Sequence, residues 1–173
     1  MKFLWLALSL IVILAGPSPA QNWSPVPVGT SSDIRGIDDG FIFWWVVGSN
    51  GLVSESNGSK TAWTPVNLGT NEDFYSVLQP SFGQVWAAGS HGTVRVLIYG
   101  TWYVRDIPNH SEGFHLYTSG SYDATAVGSG GSIYATTDGG LSWVSRNSGT
   151  NASLSPFDVW HQFDVSSGVD AGM

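Results

Sequence analysis

Four tryptophans set a period along this chain. Trp23, Trp63, Trp102 and Trp143 stand 40, 39 and 41 residues apart, and a sequence repeating at that interval builds one supersecondary unit several times and stacks the copies. Two further markers keep the same interval. Gly48, Gly89 and Gly128 lie in VVGSNGLV (46–53), AAGSHGTV (87–94) and AVGSGGSI (126–133). Each reads as a small or β-branched strand, a Gly-Ser-x-Gly turn and an apolar strand resuming. The third marker follows each tryptophan: VGTSSDI (28–34), LGTNEDF (68–74), the variant PNHSEGF (108–114) and SGTNASL (148–154).

Within one period the pattern predicts four short strands, A to D. Strand A falls at Ile34–Ile37, Phe74–Val77, Phe114–Tyr117 and Pro156–Val159, and strand B at Phe43–Gly48, Val85–Gly89 and Ala124–Gly128. Strand C follows the Gly-Ser-x-Gly turn and strand D begins at the repeat tryptophan. Four strands in about 40 residues is the content of a β-propeller blade, so the expected class is all-β. A β-solenoid is the alternative, but its coils are usually shorter and need no tryptophan hairpin in each. After residue 20 no apolar stretch recurs at helical spacing with capping signals.

The blades fall near 24–66, 67–105 and 106–146, with a partial one at 147–173. Trp23 then begins a strand D with no A, B or C before it, and Val169–Gly172 parallels Trp86–Gly89. A closed propeller needs at least four blades, so about three and a half predict a partial ring, completed by further blades or by oligomerisation.

These repeats resemble the photosystem II stability/assembly factor-like propellers and the wider group of sialidase-type (BNR) repeats. Their blades read as a strand ending in Val-Gly, a glycine turn, an Asp-box hairpin and a tryptophan. TTDGGLSW (136–143) supplies the Asp-box residues Thr136, Asp138, Gly140, Ser142 and Trp143. The likeness spans residues 23–173 and implies a propeller; assembly factors, lectins and glycosidases all use such repeats, so it leaves function open. In this stretch the Asp138 carboxylate is expected to accept backbone N–H groups of its own turn. Gly139 and Gly140 supply positive φ, and Trp143 lays its ring over the hairpin. The first repeat has only Asn57-Gly58 at the turn and the second has no Asp-box, whereas the tryptophan stays in both.

Sialidase-type catalysis, as the resemblance implies it, needs three arginines converging on a substrate carboxylate, a tyrosine paired with a glutamate, and an acid/base aspartate. Arg105 and Arg146 occupy one repeat position on different blades, and none of Glu55, Glu72 and Glu112 stands in a family-like pattern with a tyrosine. Asp38-Asp39 precedes Gly40 as a turn does. His91, His110, His115 and His161 lack metal-ligand spacing. No catalytic residue, cofactor or metal site is expected.

A ligand would instead meet the rim formed by the D–A loops and B–C turns. That rim carries Asp33, Asn71, Asp73, Glu112 and Asn151 from the loops, with Asn50, His91 and Gly130 as the variable residue of Gly-Ser-x-Gly. Its carboxylates suit a cationic protein surface or a hydroxyl-rich glycan. A protein-binding or complex-assembly scaffold is the first reading, a carbohydrate-binding propeller the second, and a sialidase-like hydrolase using Asp38, Asp39 and Arg35 the third. Trp44-Trp45 is notable because adjacent strand residues face opposite ways.

Residues 1–20 read as a secretory signal: Lys2, the apolar run Phe3–Ala15, then Gly16-Pro-Ser-Pro-Ala20. The run is too short to cross about 30 Å of hydrocarbon, so a secreted or periplasmic protein with no membrane span is expected. Cleavage removes Lys2 and takes the net charge from −7 to −8. So acidic a chain is unsuited to nucleic acid, and without cysteine it has neither disulfides nor thiolate sites. Asn-x-Ser triplets at Asn22, Asn57, Asn109 and Asn151 would accept glycans in a eukaryotic host.

Overall fold

The computed structural model describes residues 25–40 and 42–155. Three four-stranded antiparallel sheets follow one another along the chain. Blade 1 is β1 (Ile34–Asp38), β2 (Trp45–Gly48), β3 (Val53–Ser56) and β4 (Trp63–Pro65). Blade 2 is β5 (Phe74–Ser81), β6 (Gln84–Gly89), β7 (Val94–Ile98) and β8 (Thr101–Val104). Blade 3 is β9 (Phe114–Thr118), β10 (Ala124–Gly128), β11 (Ile133–Thr136) and β12 (Val144–Arg146). Each sheet is a meander in which every strand pairs with its sequence neighbours. Helical structure among the described residues is confined to single 3₁₀ turns at Ser90–Gly92 and Ser129–Gly131, inside two of the Gly-Ser-x-Gly turns. The expected all-β, partial-propeller architecture is what the chain adopts. The expected strands at Trp23, Pro156–Val159 and Val169–Gly172 lie outside the described residues.

The first strands of successive blades pack on one another, β1 on β5 and β5 on β9, which places strand A innermost and splays the fourth strands outward. The sheets stack face to face and their inward alternation makes two cores. Trp45, Val47 and Val53 of blade 1 meet Phe74, Val77, Val85 and Ala87 of blade 2. Trp86, Ala88, Val94 and Val96 of blade 2 then meet Phe114, Leu116, Ala124 and Ala126 of blade 3. All six residues of β6 are buried, because alternate side chains serve the two cores.

Radial splay opens a wedge between neighbouring sheets, and indoles fill it. Trp45 of β2 meets Trp102 of β8 edge-on, with centroids 5.7 Å apart and ring planes at 74°. One blade on, Trp86 of β6 meets Trp143, which just precedes β12, at 6.5 Å and 89°. Trp143 was expected to lie over its own hairpin; it braces instead against Trp86 of the preceding blade. The Trp143 indole N–H also donates to the Arg105 carbonyl of that blade at 2.8 Å. Trp44 points the other way from Trp45 and carries the Lys60 ammonium 5.2 Å above its ring.

Candidate functional site

The rim begins with the turns. Ser49 donates its N–H to the Asp33 carbonyl at 2.9 Å and accepts the Asp33 N–H on its Oγ at 2.9 Å. Ser90 repeats both bonds with Asp73, at 2.8 and 3.0 Å. The closing glycine ties the turn to the following loop: Gly51 donates to the Glu72 carbonyl at 3.0 Å and Gly92 to the Glu112 carbonyl at 3.1 Å. Each of these turns is therefore fastened to the loop entering its blade and the loop leaving it. The intervening residue is held left-handed, at φ 57° for Asn50, 51° for His91 and 64° for Gly130, and the Asn50 and His91 side chains are exposed on the rim.

At the junction of blades 1 and 2 the polar side chains converge. Asp73 Oδ1 accepts the Asn50 N–H at 3.0 Å, and its Oδ2 pairs with Arg35 at 3.0 Å. Glu72 accepts the Ser90 hydroxyl at 2.6 Å and lies 2.6 Å from His91 Nδ1. The hydrogen bonds from Ser90 and then His91 hold its carboxyl below the ordinary value. At the junction of blades 2 and 3, Glu112 contacts His110 Nδ1 at 3.0 Å and accepts the Ser132 hydroxyl at 3.0 Å. Its carboxyl is lowered first by hydrogen bonding from its own backbone N–H, then by these neighbours. Thus Asn50, Asp73 and His91 come together, Glu112 serves the next junction, and Asp33 and Asn151 lie in the loops before blade 1 and after blade 3. Asn71 and Asn151 are exposed.

A row of three side chains on the innermost strands escaped the sequence reading. The Arg35 guanidinium lies 5.5 Å over the Tyr75 ring, and that ring stacks on His115 at 5.7 Å and 29°. Each is the second residue of its strand A. The ladders slip between Ile34 and Gly36 and between Phe74 and Ser76, so Arg35 and Tyr75 are bulge residues, re-aimed out of the alternating pattern. Gly113 leaves room for the row, since a Cβ there would lie 2.1 Å from the Tyr75 ring. Burial lowers the His115 pKa below its ordinary value.

The Thr136–Trp143 stretch is occupied with itself. Asp138 Oδ1 accepts the Thr136 hydroxyl at 2.7 Å and the Ser142 N–H at 3.0 Å, and Oδ2 accepts the Ser142 hydroxyl at 2.6 Å. These bonds, led by Ser142, lower the Asp138 pKa to about 2. Gly140 donates to Thr136 Oγ1 at 3.0 Å and faces Arg105, whose Cβ would stand 3.0 Å from a Cβ at 140. Asp38 accepts the Gly40 N–H at 3.3 Å and the Gln79 N–H. Arg35 and Asp38 sit near opposite ends of β1, so the hydrolase set named above does not converge with Arg35. Among the described residues no group of three or more His, Asp or Glu side chains is placed to hold a metal.

Stacked meanders with the first strand innermost define the class as β-propeller-type. A YCF48 structure from Cyanidioschyzon merolae is similar at TM-score 0.61 and 26% identity, over 69% of this chain and 41% of that one. A structure described as YCF48 bound to D1 peptide matches at TM-score 0.61 and 23% identity, over 73% of this chain and 45% of that one. The computationally designed Ika4 protein matches at TM-score 0.57 and 15% identity, over 72% and 78%. The chain spans less than half the length of the YCF48 chains it matches. No family model matches it, and neither does any curated protein sequence.

Proposed function

We infer that this is an exported, non-catalytic propeller-repeat protein that binds a protein partner and serves as a scaffold in assembling a complex. The observation that carries the reading is the Arg35–Tyr75–His115 row beside Asp73, Glu72 and His91. It presents a cation, a phenol and an imidazole in line across three blades, each held by the fold. An extended, mixed polar and aromatic surface of that kind suits a polypeptide, which spans several blades at once. Asp38, Asp73, Glu72, Glu112 and Asp138 each accept hydrogen bonds from turn or rim groups, which supports a structural part for them. The YCF48 fold, one of whose structures holds D1 peptide, supports the same reading. Export rests on residues 1–20, with the propeller repeats taking up 21–173 and Thr136, Asp138, Gly140, Ser142 and Trp143 acting as hairpin structure.

Site-specific crosslinking tests the reading. A photoreactive phenylalanine at Tyr75, in the full chain expressed in its own host, is expected to give one discrete protein adduct that the same group at exposed Leu141, in the blade 3 hairpin, does not give. Identical adduct patterns from both positions, or none from Tyr75, would remove the proposal.

A further inference from the structure

On the rim opposite the D–A loops, residues of the A–B turns of blades 1 and 2 and Gly100 of the blade 2 C–D turn line a cleft of about 320 Å³ between the two sheets. Trp45 and Trp102 line it, and Ile42, Phe43 and Phe82 at its edge are 45%, 38% and 63% exposed. Glu55 is the one ionisable residue among the described residues that line it. Glu55 is paired across the ladder with Trp45, so both face blade 2. Burial raises its pKa, and no hydrogen bond or charge among the described residues opposes that effect.

The next blade shows what the fold itself requires at this place. There the equivalent pair is Trp86 with Val96, and the valine is wholly buried in the core. A carboxylate at 55 is therefore not needed to hold the sheet. The amide N–H groups nearby are turned away: Gln79 Nε2 donates to the Phe43 carbonyl at 3.0 Å and Gln84 Nε2 to the Ser121 carbonyl at 2.6 Å. What remains is an acceptor-only acid beside indole rings. That suits a group that only donates, carries positive charge and has an apolar stem.

We propose that this cleft receives a lysine or arginine side chain projecting from an apolar segment of a partner protein, with its charge at Glu55 and its stem against Trp45 and Trp102. The exposed collar of Ile42, Phe43 and Phe82 is what selects a polypeptide over a free amine, since the residues flanking the cation then cover it. The net charge of −7 adds long-range attraction for such a partner. The inference rests on the protein-binding reading and adds a second contact on the other rim.

The test is a titration of the isotope-labelled full chain with acetyl-Leu-Lys-Leu amide, following the indole N–H resonances of Trp45 and Trp102. Saturable shifts are expected, weakened about fivefold to tenfold by Glu55→Gln and by norleucine in place of lysine. Glu55→Val, which copies blade 2, should melt no lower than the native chain and lose the lysine response in the same way. Absence of saturation, equal binding of the norleucine peptide, unchanged binding by both variants, or shifts produced instead by methyl α-glucoside would overturn the proposal. Crosslinking at Tyr75 reads the opposite rim, so adducts there with no lysine response here sink only this inference.

Discussion

Residue by residue, the charged groups of this chain differ in what holds them. Asp138 is lowered from its ordinary 3.8 to about 2 by Ser142 and Thr136. A depressed carboxylate adds stability that is fully present above the unfolded-state value and is lost as pH falls through the folded one. The melting temperature of the native chain minus that of Asp138→Asn should therefore be constant above about pH 4 and shrink toward zero by about pH 2. Circular dichroism melts across that range check it; a difference that persists at pH 2 would assign the effect to shape and not to charge. Glu55 has the opposite sign. Its folded pKa is raised from 4.5 by burial, so its contribution favours the fold below that value and is lost as pH rises. Glu55→Gln should then melt higher than the native chain at pH 7 and equal to it below about pH 4.

The elements are joined by turns and indoles, and each device makes a separate prediction. Gly92 has φ 70° and a Cβ there would lie 2.3 Å from the Ile107 carbonyl oxygen, whereas Gly29, at φ 76°, faces open space. Gly29→Ala should cost about 1 kcal/mol and Gly92→Ala about 3 kcal/mol or more, read from urea midpoints. Between blades, Trp86→Ala should cost about 3 to 5 kcal/mol. A double-mutant cycle of Trp86 with Trp143 should show coupling of about 0.5 to 1.5 kcal/mol, while Trp45 with Trp143, two residues that share no contact, should add within about 0.5 kcal/mol. The blades were legible in the sequence because tryptophan, Gly-Ser-x-Gly and strand A each obey one spacing, and a register locked three times leaves no slack. The inter-blade partner of the tryptophan was not legible, since Trp45 and Trp86 match each other but the third blade has Thr125 at that register. The Arg35–Tyr75–His115 row was hidden for two reasons. Three different residue types mask the shared position, and bulges at 35 and 75 re-aim side chains in a way no alternation rule foretells. Glu55 lay in SESNG, where the Asn57-Gly58 turn dominates the pattern; only comparison with Val96 across the repeat marks it.

At the scale of the molecule, stacked sheets form a one-dimensional array in which each blade is stabilised by its neighbours. Blade 2 has a core on both faces, and β6 is buried along its length. Among the described residues blade 1 has a core on one face; on the other, Ile34 and Ile37 are 48% and 60% exposed, against 0% and 3% for Phe74 and Val77 in blade 2. At about 25 cal/mol per Å² of apolar surface, a strand packed on both sides carries roughly twice the burial of a strand packed on one. Local opening should therefore begin at β1 and reach β6 last. Amide hydrogen exchange by mass spectrometry is expected to give the slowest rates in peptides covering 84–89 and distinctly faster ones in 34–38. Trp86→Ala removes a ring shared by blades 2 and 3, so it should accelerate exchange in β9 and β10 more than in β1. Equal acceleration in all three blades would mean that the sheets unfold as a single unit, and that nearest-neighbour stacking is not what divides the stability of this chain.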